Sequence, residues 1–302
     1  MHSHNHSHSG AKNGENASTR IGWAFFLNVV FTIIEFIGGW LTNSTAIMAD
    51  AVHDLGDSLS IGTAWGLNKL GEKEANHRFS YGYKRFSLLG ALINSIVLIT
   101  GSVLILIEAV PRLAQPEMPH AEGMLLLSIF GIAVNGYAAY KLSGGNTLNE
   151  KVLNWHLLED VMGWVAVLIV SVVLMFKPWA ILDPILSIGF TLFILFNVAR
   201  NLKETVFLFL QATPDQKQMN EVQQVLMAHD EVTSIHHLHL WSLDGEQNVM
   251  TVHIQLKRNI DIQSLQTLKE NLRKQLSCFN FAHTTIEIEF ADETCRDAPQ
   301  SH

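Results

Sequence analysis

His53-Asp54-Leu55-Gly56-Asp57 lies inside an apolar run, Thr45–Leu67, and a second frame of the same kind, His156-Leu157-Leu158-Glu159-Asp160, lies inside another, Val152–Phe176. An apolar run of ~20 residues is what a helix needs to cross the hydrocarbon of a bilayer. In a helix, side chains four residues apart sit one above the other on one face. Each frame therefore aims one imidazole and one carboxylate in the same direction. Brought face to face, His53, Asp57, His156 and Asp160 make a cage of four N and O donors, the number and kind that suit zinc. Ionisable groups at membrane depth are costly and mark ion pathways. The frames thus predict a helical bundle that handles a divalent metal.

Working outward, apolar runs at Ile21–Leu41, Ser87–Val110, Met124–Tyr140 and Ile181–Arg200 bring the expected spans to six. The fourth is short and the second carries several acids, so hydropathy rates these two weakest. Of the 13 Lys and Arg residues up to Lys203, all but Arg112 and Lys177 fall in the N-terminal segment, the second–third and fourth–fifth connections, or just past the sixth span. Basic residues gather on the cytoplasmic side of a membrane protein, which places both termini there. No Lys or Arg lies within the spans away from their ends, whereas Glu35, Asp50, His53, Asp54, Asp57, His156, Glu159 and Asp160 do, with Glu108 and Asp183 near boundaries. Unpaired carboxylates in lipid would be neutralised by protonation. Acids and histidines without a fixed cation predict that the compensating charge arrives from solution, as metal or as protons.

The whole-chain values, 48% hydrophobic residues and a net charge of -8, average two unlike halves. After Gln211 the composition is that of a soluble domain, with 13 acidic against 7 basic residues. Such a balance excludes nucleic-acid binding and attracts cations. Asp215–Ala228 has helical spacing, and Ser234–Leu243 and Asn248–Lys257 alternate like strands about the turn Asp244-Gly245. Ile262–Phe279 reads as an amphipathic helix and His283–Phe290 alternates again. The order α-β-β-α-β predicts a small α+β sheet with helices on one face. The expected organisation is an arm (residues 1–20), a membrane domain (21–211), a soluble domain (212–291) and a tail (292–302). No cleaved signal peptide is expected, since the first apolar run is long enough to span. Cys278 and Cys295 are too few for a disulfide framework. Cys278 is expected to be a buried apolar residue, and Cys295 a free thiol or a metal ligand.

Several stretches together resemble the cation diffusion facilitators, six-span zinc and heavy-metal antiporters with a cytoplasmic ferredoxin-like domain. They are Met48-Ala49-Asp50-Ala51-Val52-His53 through Asp57, Phe79-Ser80-Tyr81-Gly82-Tyr83-Lys84-Arg85, Asn154 to Asp160, and Asp183-Pro184. Ala212-Thr213-Pro214, His239-Leu240-Trp241-Ser242 and His283-Thr284-Thr285-Ile286 continue the resemblance, which runs from about Arg20 to Phe290. It implies a transport site of His53, Asp57, His156 and Asp160. It also implies Zn2+ as cargo exchanged against protons, with Cd2+, Co2+ or Ni2+ as further cargoes, and no organic cofactor. A homodimer through the soluble domain, in the lipid of a bacterial plasma membrane, follows from the same source. There are departures. Ser87 stands where many relatives carry an acid, and Asp54 and Glu159 add acids inside the two frames. Adjacent helix positions point ~100° apart, so Asp54 and Glu159, with Asp50, are candidates for groups beside the ligands or along the ion path. A bland role facing a wet cavity is the alternative.

Other histidines fall outside the frames. His2, His4, His6 and His8 alternate with Ser and Asn in an arm that would gather zinc loosely. His77, after Glu72 and Glu74, resembles an accessory loop metal site, although interfacial snorkelling explains the same residues. His236, His253 and His283 match positions at which relatives hold a regulatory metal. His253 and His283 lie on the polar sides of their strands. His236 shares parity with Leu238 and Leu240, so it reads equally as a core histidine, with His237 and His239 as substitutes. His120 is expected to be solvated, and Trp241 to pack. A metalloenzyme is disfavoured: there is no His-Glu-x-x-His, and four protein ligands leave no position for catalytic water. A passive divalent-metal channel or a membrane metal sensor is the alternative to an antiporter.

Overall fold

The computed structural model describes residues 9–71, 73, 75–143 and 148–297. Six long helices come first: α1 (Ser9–Thr42), α2 (Thr45–Gly71), α3 (Phe86–Ala114), α4 (Ala121–Leu142), α5 (Leu148–Phe176) and α6 (Leu182–Phe209). After them come α7 (Gln216–Met227), β1 (Val232–Ser242), β2 (Asn248–Leu256), α8 (Ile262–Leu276), one 3-10 turn (Ser277–Phe279) and β3 (His283–Glu289). The chain divides into two units, Met1–Gly66 with Ile93–Asn201, and Leu67–Leu92 with Leu202–His302. The expected histidine arm, His2 to His8, lies outside the described residues, as do Glu72 and Glu74.

Among the described residues, five helices are long and apolar enough to cross a membrane: within Phe25–Thr42, Phe86–Ala114, Ala121–Lys141, Asn154–Phe176 and Leu182–Phe209. Helix α2 has the length, at 27 residues, but the acids it carries hold it below that hydropathy, as its sequence foretold. It contributes to two apolar clusters. Ala46 and Ile47 pack with Phe31, Met124, Trp164 and Val167 of α1, α4 and α5. Ala49 and Val52 pack with Leu98, Ile105, Ile194 and Val198 of α3 and α6. With apolar neighbours on both sides, the polar residues of α2 are left facing inward. Close approach needs small residues. A Cβ on Gly56 of α2 would collide with Leu98, and one on Gly131 of α4 would collide with the Trp164 ring.

Helix α1 stops at Asn43, whose φ of 53° turns the chain. Ser44 then starts α2, its Oγ accepting from Ile47 N at 3.2 Å. Asp183, at the start of α6, completes the cap. Its Oδ2 accepts from the amide and the hydroxyl of Thr45, both at 2.8 Å. Its Oδ1 accepts from Ser44 Oγ at 2.5 Å and Ala46 N at 3.3 Å. The expectation that Asp183 awaits charge from solution is therefore corrected: the unpaired N–H groups and positive end of a helix compensate it. Glu108 is corrected too, being an exposed partner of Arg112 at 2.5 Å. His120 is more than solvated, since its Nδ1 accepts from Gly123 N at 3.0 Å and caps α4.

The second unit is built on a three-stranded sheet in the order β1-β2-β3, with β1 and β2 antiparallel and β2 and β3 parallel. The β1–β2 connection turns at Gly245, φ 98°, while Asp244 Oδ1 accepts from the amides of Glu246 and Gln247 at 2.9 and 2.7 Å. Leu226 of α7 and Leu268, Leu272 and Leu276 of α8 cover one face, packed on Leu240, Met250, Val252, Ile254 and Leu256. This is the expected α-β-β-α-β order. The 3-10 turn ends the second helix earlier than Phe279 and leaves Cys278 exposed, against its expected burial.

Candidate metal sites

The i, i+4 spacing brings the membrane frames together as the helix period requires. His156 Nε2 of α5 lies 3.0 Å from Asp57 Oδ2 of α2, and His53 Nε2 lies 3.6 Å from the same oxygen. The two imidazole rings meet edge to face with centroids 5.6 Å apart. One donor atom from each of His53, Asp57 and His156 falls within a 4.8 Å group. Tetrahedral zinc with ligands at ~2.1 Å holds its donors ~3.4 Å apart, so the three need only small shifts to bind. Asp160 stands at the edge of the group: its Oδ2 is 3.9 Å from His156 Nε2. It is also sealed, with a side chain 3% exposed against 23–25% for the other three.

Around these donors the helices supply acids without partners. Glu35 is fully buried, Asp54 is 1% exposed and Asp50 is 6% exposed. Both oxygens of Glu35, and one each of Asp50, Asp54 and Asp160, have no hydrogen-bond partner. Glu159 is exposed, as is His77.

The sheet assembles a second group differently from the sequence expectation. His236 faces His253 directly across the β1–β2 pair, and one residue is then inserted in β1 before His239 pairs with Thr251. His237, at φ 50°, forms that bulge. A bulge reverses the side-chain alternation of everything beyond it, so His236 does not share the face of Leu240 and is no core histidine. His236 Nε2 lies 3.0 Å from Glu289 Oε2, and His253 Nδ1 lies 2.9 Å from Glu289 Oε1. Cys295 Sγ lies 3.5 Å from His253 Nδ1. Single donors from His236, His253, Glu289 and Cys295 all fall within 4.8 Å of one another. His283 is not among them. It pairs with Val249, four residues from the position opposite His253, which is ~13 Å along a strand; its ring rests near Tyr81. Glu289 has the same parity as His283, and that parity was the signal that could have found it. Burial works to raise the Glu289 carboxyl, but hydrogen bonds with His253, Cys295 and His236 outweigh it and hold the group below its ordinary value. Burial pushes the Cys295 thiol up, and its contact with Glu289 pushes the same way. The donor set, two imidazoles, a carboxylate and a thiol, fits zinc or a softer divalent ion.

Residues 23–210 match the family profile described as "Cation efflux transmembrane domain", and residues 214–291 match "Cation efflux protein, cytoplasmic domain". The chain belongs to the cation efflux, or cation diffusion facilitator, family. It is 32% identical over 292 residues to the "Cadmium, cobalt and zinc/H(+)-K(+) antiporter" of Bacillus velezensis, covering 95% of this chain and 92% of that protein. It is 32% identical to "Zinc transporter ZitB" of Pectobacterium atrosepticum, covering 99% and 93%. It is 30% identical to "Metal cation efflux system protein CzcD" of Cupriavidus metallidurans, covering 98% and 93%. As a member of this family the chain is a multi-pass membrane protein.

Proposed function

We propose that this cation efflux protein is a proton-coupled antiporter that moves Zn2+ out of the cytoplasm, with Cd2+, Co2+ and Ni2+ as alternative cargoes. The observation that carries the reading is the group of His53, Asp57 and His156, drawn from two helices and within 4.8 Å. Asp160 is the fourth ligand in this reading, moving inward from 3.9 Å. Imidazole and carboxylate bind metal only when deprotonated, so metal and protons compete for the same atoms. Cargo enters while the cage faces the cytoplasm. The helices then rock, and protons from the far side displace the metal; the protonated cage returns with its charge partly neutralised. Asp50 and Asp54 line the path by which protons or ions reach the cage, and Glu159 stands at its exposed margin. Four protein ligands leave no place for catalytic water, so no enzymatic step is assigned.

Both termini lie in the cytoplasm in this reading, and two copies pair through the soluble domain, within a bacterial plasma membrane. The domain limits are 21–211 and 212–291. The cluster on the sheet senses cytoplasmic metal, with His236 and His253 as two of its ligands and Glu289 in the place first given to His283. The arm of His2, His4, His6 and His8 gathers zinc, and His77 serves either as an accessory loop metal site or as a snorkelling interfacial group. Zinc uptake by inverted membrane vesicles tests the function. Uptake should rise when a pH gradient, acid inside, is imposed. Uptake indifferent to the gradient would make the protein a passive channel, and binding without uptake would make it a sensor.

A further inference from the structure

The match to the soluble family domain stops at residue 291, but the chain goes on and folds back over the polar side of the sheet. Asn259 Nδ2 donates to Asp292 Oδ1 at 3.0 Å, and Arg296 Nη2 donates to Glu287 Oε2 at 2.9 Å. Asp297 Oδ2 lies 3.6 Å from His253 Nε2. Between these points the strap presents Cys295 to His253 at 3.5 Å. A lone thiol would mean little by itself. Glu289, however, is 3% exposed and turned into the same group, and its Oε2 receives no well-aligned hydrogen bond despite the nearness of His236. A buried carboxylate oxygen left without a donor, beside two imidazoles and a thiol, is a vacancy in the bonding of the protein that a cation can fill. The approach is open, since His236 and Cys295 both line a cavity of about 970 Å3.

We propose that Cys295 is a ligand of the sheet site, and that a thiophilic divalent metal held by His236, His253, Glu289 and Cys295 fastens residues 291–297 across the sheet. The inference rests on the reading of this cluster as a regulatory metal site and adds what that reading lacks, a moving part. On binding, the thiol gives its proton to solvent and a metal–sulfur bond forms. With metal the strap is tied at the sheet by coordination; without metal it is held by its surface hydrogen bonds and ion pairs.

The test uses the full chain with Cys278→Ser, so that Cys295 is the single thiol. Co2+ should give a thiolate-to-metal charge-transfer absorption, which the transport cage, having no sulfur, cannot produce. Adding Cys295→Ser should abolish that band, whereas Cys295→His should keep metal stoichiometry without it. With Zn2+ at about ten times its dissociation constant, alkylation of Cys295 by iodoacetamide should slow about tenfold. Metal bound at the sheet with no such band and no protection would overturn the role of Cys295 while sparing the regulatory site. Stoichiometry unchanged by His253→Ala and His236→Ala would overturn the regulatory site itself, and the strap with it.

Discussion

The cluster between α2 and α5 and the cluster on the sheet both join imidazoles to a carboxylate, the sheet adding a thiol, but the chain encodes them in different ways. Each membrane helix brings its own pair, His53 with Asp57 and His156 with Asp160, one turn apart. On the sheet no two donors are sequence neighbours: His236 and His253 face each other across antiparallel strands, Glu289 comes from a parallel third, and Cys295 from a returning strap. The local balance differs as well. Glu289 is bonded to His253 even without metal, so the sheet cluster holds together by itself. In the membrane unit, Asp50, Asp54 and Asp160 each keep an oxygen with no partner. A site whose acids lack partners changes occupant readily, as cargo and protons must. A site whose carboxylate is already bonded to a histidine, with one oxygen still open, suits slower occupancy and a structural response.

The contrast can be broken most directly at Asp57, which serves both histidines. Asp57→Ala should reduce zinc flux in proteoliposomes to that of protein-free vesicles, while metal bound at the sheet is retained. Residual flux near that of the unaltered protein would show that the cage is misassigned. Next in size is a change of preference: His53→Asp with His156→Asp should move selectivity from Zn2+ toward Mn2+ in competition flux, because carboxylate oxygen suits the harder ion. Asp183 is a buried acid of the membrane unit that does have partners. Asp183→Ala should destabilise the detergent-solubilised protein by at least about 2 kcal/mol, the scale of hydrogen bonds to a charged group, read from thermal unfolding. The smallest effect is expected at Asp261, the cap of α8, whose carboxyl is held below its ordinary value by the Ser264 amide. A depressed carboxyl stabilises above its unfolded value, ~3.9, and that contribution is lost as pH falls through the lower folded value. Asp261→Ala should therefore weaken the soluble unit at neutral pH and flatten its stability loss in acid, with metal affinity at both clusters unchanged.

What could be read from the chain followed from periodicity. The helix repeat alone placed His53 over Asp57 and His156 over Asp160, and strand alternation placed His253 on a polar face. Three features escaped for physical reasons. The bulge at His237 inserts one residue and so reverses parity, which strict alternation cannot reveal. The cap that Asp183 gives α2 joins residues 138 apart, and no local pattern encodes that meeting. The return of Cys295 to His253 depends on a strap with no regular repeat. The acids of α2 hold it below the hydropathy of the other five helices, whereas α5, which carries His156 and Asp160, stays strongly apolar.

On the proposed mechanism, cargo and protons exchange at one set of atoms between α2 and α5. Proteoliposomes loaded with zinc, with a pH-sensitive dye inside and no imposed pH gradient, test it most directly. Outward zinc flow should acidify the interior as protons move in, and Asp57→Ala should abolish zinc and proton movement together. Zinc leaving at the normal rate with no change of internal pH would contradict the account.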